Sequence, residues 1–134
     1  MPKIMVKEPG RKARIINFDG KYRDEVRKFI GKDATLESVG IKRESESCLE
    51  MMVDEDGKII GLEPNFFLPL RGWGVDTIVG PVVFLRRNNP SFEEEIWDFE
   101  LEDLTEKDIA QLRYILSTEG QGKILLGMTP LFEE

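Results

Sequence analysis

The sequence predicts an α+β fold: a single domain with an antiparallel or mixed sheet of about five to seven strands and about two packed helices. Three observations carry that prediction. Ile96–Glu102 alternates strictly, with Trp97, Phe99 and Leu101 on one side and Asp98, Glu100 and Glu102 on the other, the period of a half-buried antiparallel strand. Thr77–Leu85 is rich in Val and Ile, the composition of a strand buried on both faces. Two other segments change period: Tyr22, Val26, Phe29 and Ile30, and later Ile109, Leu112, Ile115 and Leu116, each fall on one face of a helix.

The remaining elements follow in chain order. Residues 3–7 form a first strand, and Glu8-Pro9-Gly10 is a turn that returns the chain into a second strand at 14–18. The first helix is capped by Asp19 and ended by Gly31, with Lys21, Arg23, Arg27 and Lys28 on its polar face. Residues 34–41 form a third strand. Leu49–Val53 and Lys58–Leu62 then flank Asp54-Glu55-Asp56-Gly57, which predicts a hairpin around an acidic turn. Residues 63–70 carry two prolines and are expected to be irregular, yet they are too apolar for a freely solvated loop.

Arg71-Gly72-Trp73-Gly74 is a flexible turn holding a large aromatic. Gly80-Pro81 interrupts the Thr77–Leu85 strand as a bulge or sheet edge, since proline donates nothing to a ladder. Residues 86–90 are expected to be a loop. Thr105 and Asp108 have capping-box spacing before the second helix, and Leu104 and Ile109 are placed as its hydrophobic staple. Residues 1–118 make the domain. Residues 119–134, with Lys123–Phe132 as their apolar part, form a tail expected to be a last strand or a docking segment.

Composition narrows the chemistry. The 134 residues contain no histidine and one cysteine, Cys48. Neither a Ser-His-Asp nor a Cys-His catalytic arrangement can be assembled, nor a zinc site of the Cys/His type. A lone cysteine in an apolar stretch, Cys48–Val53, is expected to be a small core residue. Apolar residues make up 40% and charged residues 34%, enough for a core beneath a strongly solvated surface. No run of 18 apolar residues suits a membrane span, and residues 1–8 lack a signal-peptide core, so a cytoplasmic location with no membrane partner is expected.

The net charge of −7 is unevenly spread: residues 1–43 balance to +6 and residues 44–134 to −13. Such a split suggests a charged partner, unless the two halves neutralise each other on folding or in a homodimer that joins basic to acidic halves.

Several separated pieces together resemble one family. They are Val6-Lys7-Glu8-Pro9-Gly10, Ile30-Gly31, Asp56-Gly57-Lys58-Ile59-Ile60-Gly61-Leu62-Glu63-Pro64-Asn65, Asp76-Thr77-Ile78-Val79-Gly80-Pro81-Val82-Val83 and Leu104-Thr105-Glu106-Lys107-Asp108-Ile109. In this order they resemble the family called domain of unknown function 3846, short proteins of phages, conjugative elements and the bacteria that carry them. The resemblance spans residues 4 to about 116. It departs at Lys32, where a second glycine is usual, and at Pro81, where a small hydroxyl residue is commoner. It implies an α+β fold and a phage-linked or mobile-element accessory role. It brings no catalytic residue, cofactor or partner with it.

Four features are candidates for function. Asp98, Glu100 and Glu102 form a row of carboxylates about 7 Å apart within an acidic stretch, 93–108, where Lys107 is the only cation. Such a row imitates a line of phosphates, offers oxygens to a divalent cation, or simply solvates an edge strand. Asn65, after Pro64, either bonds a ligand or, as is commoner, bonds its own turn backbone. Trp73 is an interface anchor or a cap on the core. Arg23, Arg27 and Lys28 present a basic helix face suited to phosphate.

Asp54-x-Asp56-Gly57, with Glu63 six residues later, has the spacing of an EF-hand loop. The segment between is strand-like, so the match is taken as coincidence. The expectation is therefore a non-enzymatic protein without a cofactor, acting by binding another protein. Nucleic-acid binding through residues 1–43 stands second, and a carboxylate- and metal-dependent enzyme third.

Overall fold

The structure is a computed structural model that describes residues 2–18, 22–44, 47–70, 74–88 and 101–127. The described residues form an α+β fold with eight strands, all paired antiparallel, and three helices. The main sheet has six strands in the order β2-β1-β7-β4-β3, with β8 also paired to β7. These strands are β1 (Lys3–Lys7), β2 (Arg14–Asn17), β3 (Leu36–Arg43), β4 (Ser47–Asp54), β7 (Val82–Asn88) and β8 (Leu101–Glu102). A separate two-stranded ribbon joins β5 (Pro64–Leu70) to β6 (Gly74–Val79).

Both faces of the sheet are buried, which explains why the central strands are apolar without alternation. Ile4, Val6, Met52, Val83 and Leu85 pack on one face with Val26 and Ile30 of helix α1 (Tyr22–Ile30). Met5, Leu49, Met51, Val82 and Phe84 pack on the other with Phe66 of the ribbon and Leu112 of helix α2 (Glu106–Leu116). The Phe66 and Phe84 rings lie 5.9 Å apart, pinning the ribbon to the sheet. Each such side chain contributes roughly 1.5–3 kcal/mol when withdrawn from water.

Helix α2 begins where the capping box places it. The Thr105 hydroxyl accepts from the Asp108 amide at 3.0 Å, and the Asp108 carboxylate accepts from the Thr105 amide at 2.9 Å. The first helix also stops at Gly31, whose φ of 149° is a conformation that other residues rarely adopt. Asp19, its expected cap, lies outside the described residues.

Five expectations are corrected. Lys58–Leu62 is no strand: it belongs to a tight turn, and β4 pairs with β3 and β7 instead. Lys58–Leu62 has the β-branched residues of a strand, but in the turn Leu62 is half-buried while Ile59 and Ile60 project. The stretch 63–70 is ordered as β5; it pairs on one side only, so its prolines do not interrupt a central ladder. Gly80-Pro81 is neither bulge nor edge but the step from ribbon to main sheet, splitting the expected long strand into β6 and β7.

Arg86 and Arg87 are not a loop, because β7 runs on to Asn88 and carries them. The first part of the 119–134 tail, expected to be a last strand or a docking segment, is helical instead of extended: it belongs to a third helix, α3 (Thr118–Leu125). Gly120, which suggests a break, permits close packing: a β-carbon there would sit 2.0 Å from the Tyr114 carbonyl oxygen. Residues 128–134 lie outside the described residues, as do 96–100.

Candidate functional site

Lateral register builds the most developed polar site. Lys42 on β3, Leu49 on β4, Arg86 on β7 and Glu102 on β8 stand in one row across four strands. Because Arg86 alternates with Val83 and Leu85 and shares a face with Val82 and Phe84, its side chain enters the layer beneath α2. The N-terminus of α2 lies over that end of the row. Between them is a cleft of about 660 Å³ floored by Arg86 and Ser47 and walled by Lys42, Glu44 and Glu102, with Thr105, Lys107 and Asp108 closing it from the helix.

Arg86 is held from three directions. Its Nε donates to Asp108 Oδ2 at 2.8 Å and its Nη2 to Asp108 Oδ1 at 2.6 Å, a two-pronged pair. Nη1 donates to Ser47 Oγ at 2.6 Å, and Nη2 also reaches Glu44 Oε1 at 3.2 Å. The side chains of Arg86 and Asp108 are 5% and 3% exposed. Burial alone would raise the Asp108 pKa; hydrogen bonds from Arg86 and from the Thr105 amide outweigh it and hold the carboxyl below its ordinary value. The Asp108 hydrogen bond likewise raises the Arg86 pKa against the opposing effect of burial.

The next residue mirrors this arrangement on the opposite face. Arg87 Nε donates to Glu50 Oε2 at 2.5 Å, and the Glu50 side chain is 5% exposed. Two successive strand residues therefore each neutralise a buried carboxylate, one on either side of the sheet.

The cleft's remaining charges are more open. Lys42 Nζ stands 3.7 Å from Glu44 Oε1, while Glu102 and Lys107 are exposed. The lining carries three cations and three carboxylates, so it has no net charge. Among the described residues no three metal-ligating side chains converge on one point.

The expected site residues that lie among the described ones, Glu102, Asn65, Arg27 and Lys28, fall on different parts of the fold. Glu102 lies at the mouth of this cleft. Arg27 and Lys28 belong to the last turn of α1, on the other side of the sheet. Arg27 Nε is buried without a hydrogen-bond partner among the described residues. Asp98, Glu100 and Trp73 lie outside the described residues, and so does the side chain of Arg23.

Asn65 bonds no part of its own turn. Its Nδ2 donates to the Lys7 and Gly80 carbonyls, both at 2.8 Å, and its Oδ1 accepts from Lys7 Nζ at 2.8 Å. It ties β5 to β1 and to the Gly80 step, a structural role through distant backbone. Lys7 is buried, which lowers its pKa against the pull of the Glu8 carboxylate.

Arg86, Ser47 and Lys42 were missed as site residues. The available signal was Val82-Val83-Phe84-Leu85-Arg86-Arg87, which continues a two-residue period into both arginines. Asp108 is legible in the sequence as a helix cap and as the end of the acidic stretch 93–108, but nothing local points to Arg86 as its partner. Comparison with known proteins finds no matching family model, no matching curated protein and no matching solved structure.

Proposed function

We propose that the chain is a small accessory protein, of the kind carried by phages and conjugative elements, that acts without catalysis by binding another protein. One observation carries this reading: among the described residues, ion pairs form mostly within each half of the chain. Among the described residues, the only ion pair that crosses from residues 1–43 to the remainder joins Lys42 to Glu44, at the boundary itself. The inner pairs Arg86–Asp108 and Arg87–Glu50 are drawn from the second half alone. Glu55, Glu63, Glu102 and Glu106 remain exposed. Exposed carboxylates of this kind steer a basic partner into contact and disfavour acidic ones. The resemblance across residues 4–116 supports the mobile-element part, and the single buried thiol of Cys48 fits action in the cytoplasm.

The test is a tagged pull-down from nuclease-treated host lysate, analysed by mass spectrometry. A stoichiometric basic protein, captured less as salt rises, is the expected result. A bait that returns no stoichiometric protein overturns the reading.

One contact favours a second reading, nucleic-acid binding. The Arg14 guanidinium lies 5.8 Å over the Phe29 ring, bringing β2 against the end of α1. Exposed Arg11, Lys12 and Arg14 thereby join the helix that carries Arg23, Arg27 and Lys28. This reading expects a salt-dependent gel shift with duplex DNA or RNA, weakened when Arg23, Arg27 and Lys28 become alanine. A mobility that stays unchanged at low salt counts against it.

A further inference from the structure

We infer that Ile59 and Ile60, at the tip of the turn between β4 and β5, form an apolar knob that enters a pocket rimmed by lysine or arginine on a partner protein. The inference rests on the protein-binding reading above and names where and by what chemistry that binding occurs.

Exposure comes first. Ile59 is 85% and Ile60 62% exposed, and they are consecutive. A single exposed aliphatic residue is ordinary, whereas adjacent β-branched ones in a turn act against local preference. The sequence itself favours a strand here. A place where the fold overrides such a preference without local gain is where function is expected.

Rigidity comes second. The Gly57 amide donates to the Asp54 carbonyl at 3.1 Å, Ile60 to Asp56 at 3.0 Å, Gly61 to Lys58 at 3.4 Å and Leu62 to Gly57 at 2.9 Å. Leu62 anchors the turn from below. It packs so closely that a β-carbon on Gly80 would come within 2.6 Å of its Cδ1, and one on Gly57 within 3.3 Å. Lys58 Nζ is tied to Asp76 Oδ1 at 2.6 Å. The two isoleucines therefore project from a backbone already fixed, so little further ordering opposes their docking.

Charge names the occupant. Asp54, Glu55 and Asp56 precede the pair in the same turn and Glu63 follows it, with Glu55 and Glu63 exposed, while the intervening cation, Lys58, is already paired with Asp76. The flanks of the apolar pair therefore carry an excess of negative charge. Their complement is an apolar pocket with basic residues at the edge, the arrangement of a hydrophobic anchor inside a polar ring.

The experiment places a benzophenone amino acid at Ile59 or, for comparison, at Lys107, and irradiates the full chain in nuclease-treated host lysate. The expected result is a discrete protein adduct from position 59, mapped by mass spectrometry to an apolar segment flanked by Lys or Arg. Its yield should fall about threefold between 0.1 and 0.5 M salt. An adduct from position 107 and none from 59 overturns the knob but leaves protein binding standing. No adduct from either position overturns both. An adduct from position 59 mapped to an acidic or uncharged surface overturns the partner class.

A second measurement keeps folding apart from binding. The Ile59→Ser/Ile60→Ser variant should melt within about 2 °C of the parent, since exposed side chains contribute little to stability. A fall of more than about 5 °C shows that the pair supports the fold and overturns the inference.

Discussion

Arg86 and Asp108 meet through two parallel hydrogen bonds of 2.8 and 2.6 Å, while the same aspartate closes the capping box of α2 at 2.9 Å. One carboxylate therefore fixes the start of a helix and seats that helix on the sheet. Its loss should be felt twice.

Asp108→Ala leaves the Arg86 guanidinium buried with Ser47 and Glu44 as its remaining partners among the described residues, and removes the cap. A loss of about 3–5 kcal/mol is expected from urea unfolding. Arg86→Met with Asp108→Asn removes both charges and keeps a capping side chain. It should lose far less, below about 2 kcal/mol. Equal losses in the two variants would show that the pair itself matters little.

Acid stability follows from the direction of the Asp108 shift. The folded carboxyl lies below its ordinary value of 3.8, so its contribution is complete above that value and fades as the pH falls through the lower, folded value. Urea midpoints for the parent should fall below about pH 4, more steeply than those of Asp108→Asn. Parallel curves would remove Asp108 from the acid response. Lys7 acts in the same direction at the alkaline end, as a penalty removed rather than a contribution gained. Its folded pKa is lowered from 10.5, so the penalty of burying its charge is relieved as pH rises through that lower value toward 10.5.

Gly80 faces two demands together. Its φ is 75°, and a β-carbon would stand 2.6 Å from Leu62 Cδ1. Gly80→Ala is expected to lose about 2–4 kcal/mol. Adding Leu62→Ala relieves the clash but not the dihedral, so the double-mutant cycle should show a coupling of about 1 kcal/mol in thermal or urea unfolding. Strict additivity would locate the whole effect in the backbone.

Asn65 donates to two carbonyls, so its substitutions separate shape from hydrogen bonding. Asn65→Asp keeps the shape and the acceptor for Lys7 but turns a carboxylate oxygen toward the Lys7 and Gly80 carbonyls. A loss of about 2–4 kcal/mol is expected at neutral pH, with partial recovery when acid protonates the new carboxyl. A neutral effect at pH 7 would mean that the side chain can turn away into water.

The elements set by local rules were legible in the sequence. The β1–β2 hairpin, the period of α1 and the capping box of α2 depend on residues within a few positions of one another, and all three stand as expected. What failed depended on distant partners. Lys58–Leu62 has strand-forming residues but no strand beside it, and Arg86 looks like loop chemistry until Asp108, 22 residues on, supplies a buried countercharge. Asn65 resembles a local turn residue, yet its partners lie 58 and 15 residues away. Of the expected site, only the placement of Glu102, Asn65, Arg27 and Lys28 can be compared, and they fall on different parts of the fold.

The edge of β7 opposite β4 is shared by two short strands, β1 along Val82–Phe84 and β8 along Arg86–Arg87. They are joined end to end where the Lys3 amide donates to Asp103 Oδ1 at 2.7 Å and the Leu104 amide to the Lys3 carbonyl at 3.2 Å, across a hundred residues of chain. During synthesis, β1 emerges first with Ile4, Met5 and Val6, all buried in the finished fold. Its inner neighbour β7 follows some seventy-five residues later. At about 5–20 residues per second, that apolar run waits several seconds on the ribosome with only β2 beside it. The order in which the chain is made thus runs against the order in which its sheet is assembled, and slow, high-contact-order folding with a need for early shielding of residues 4–6 is the consequence.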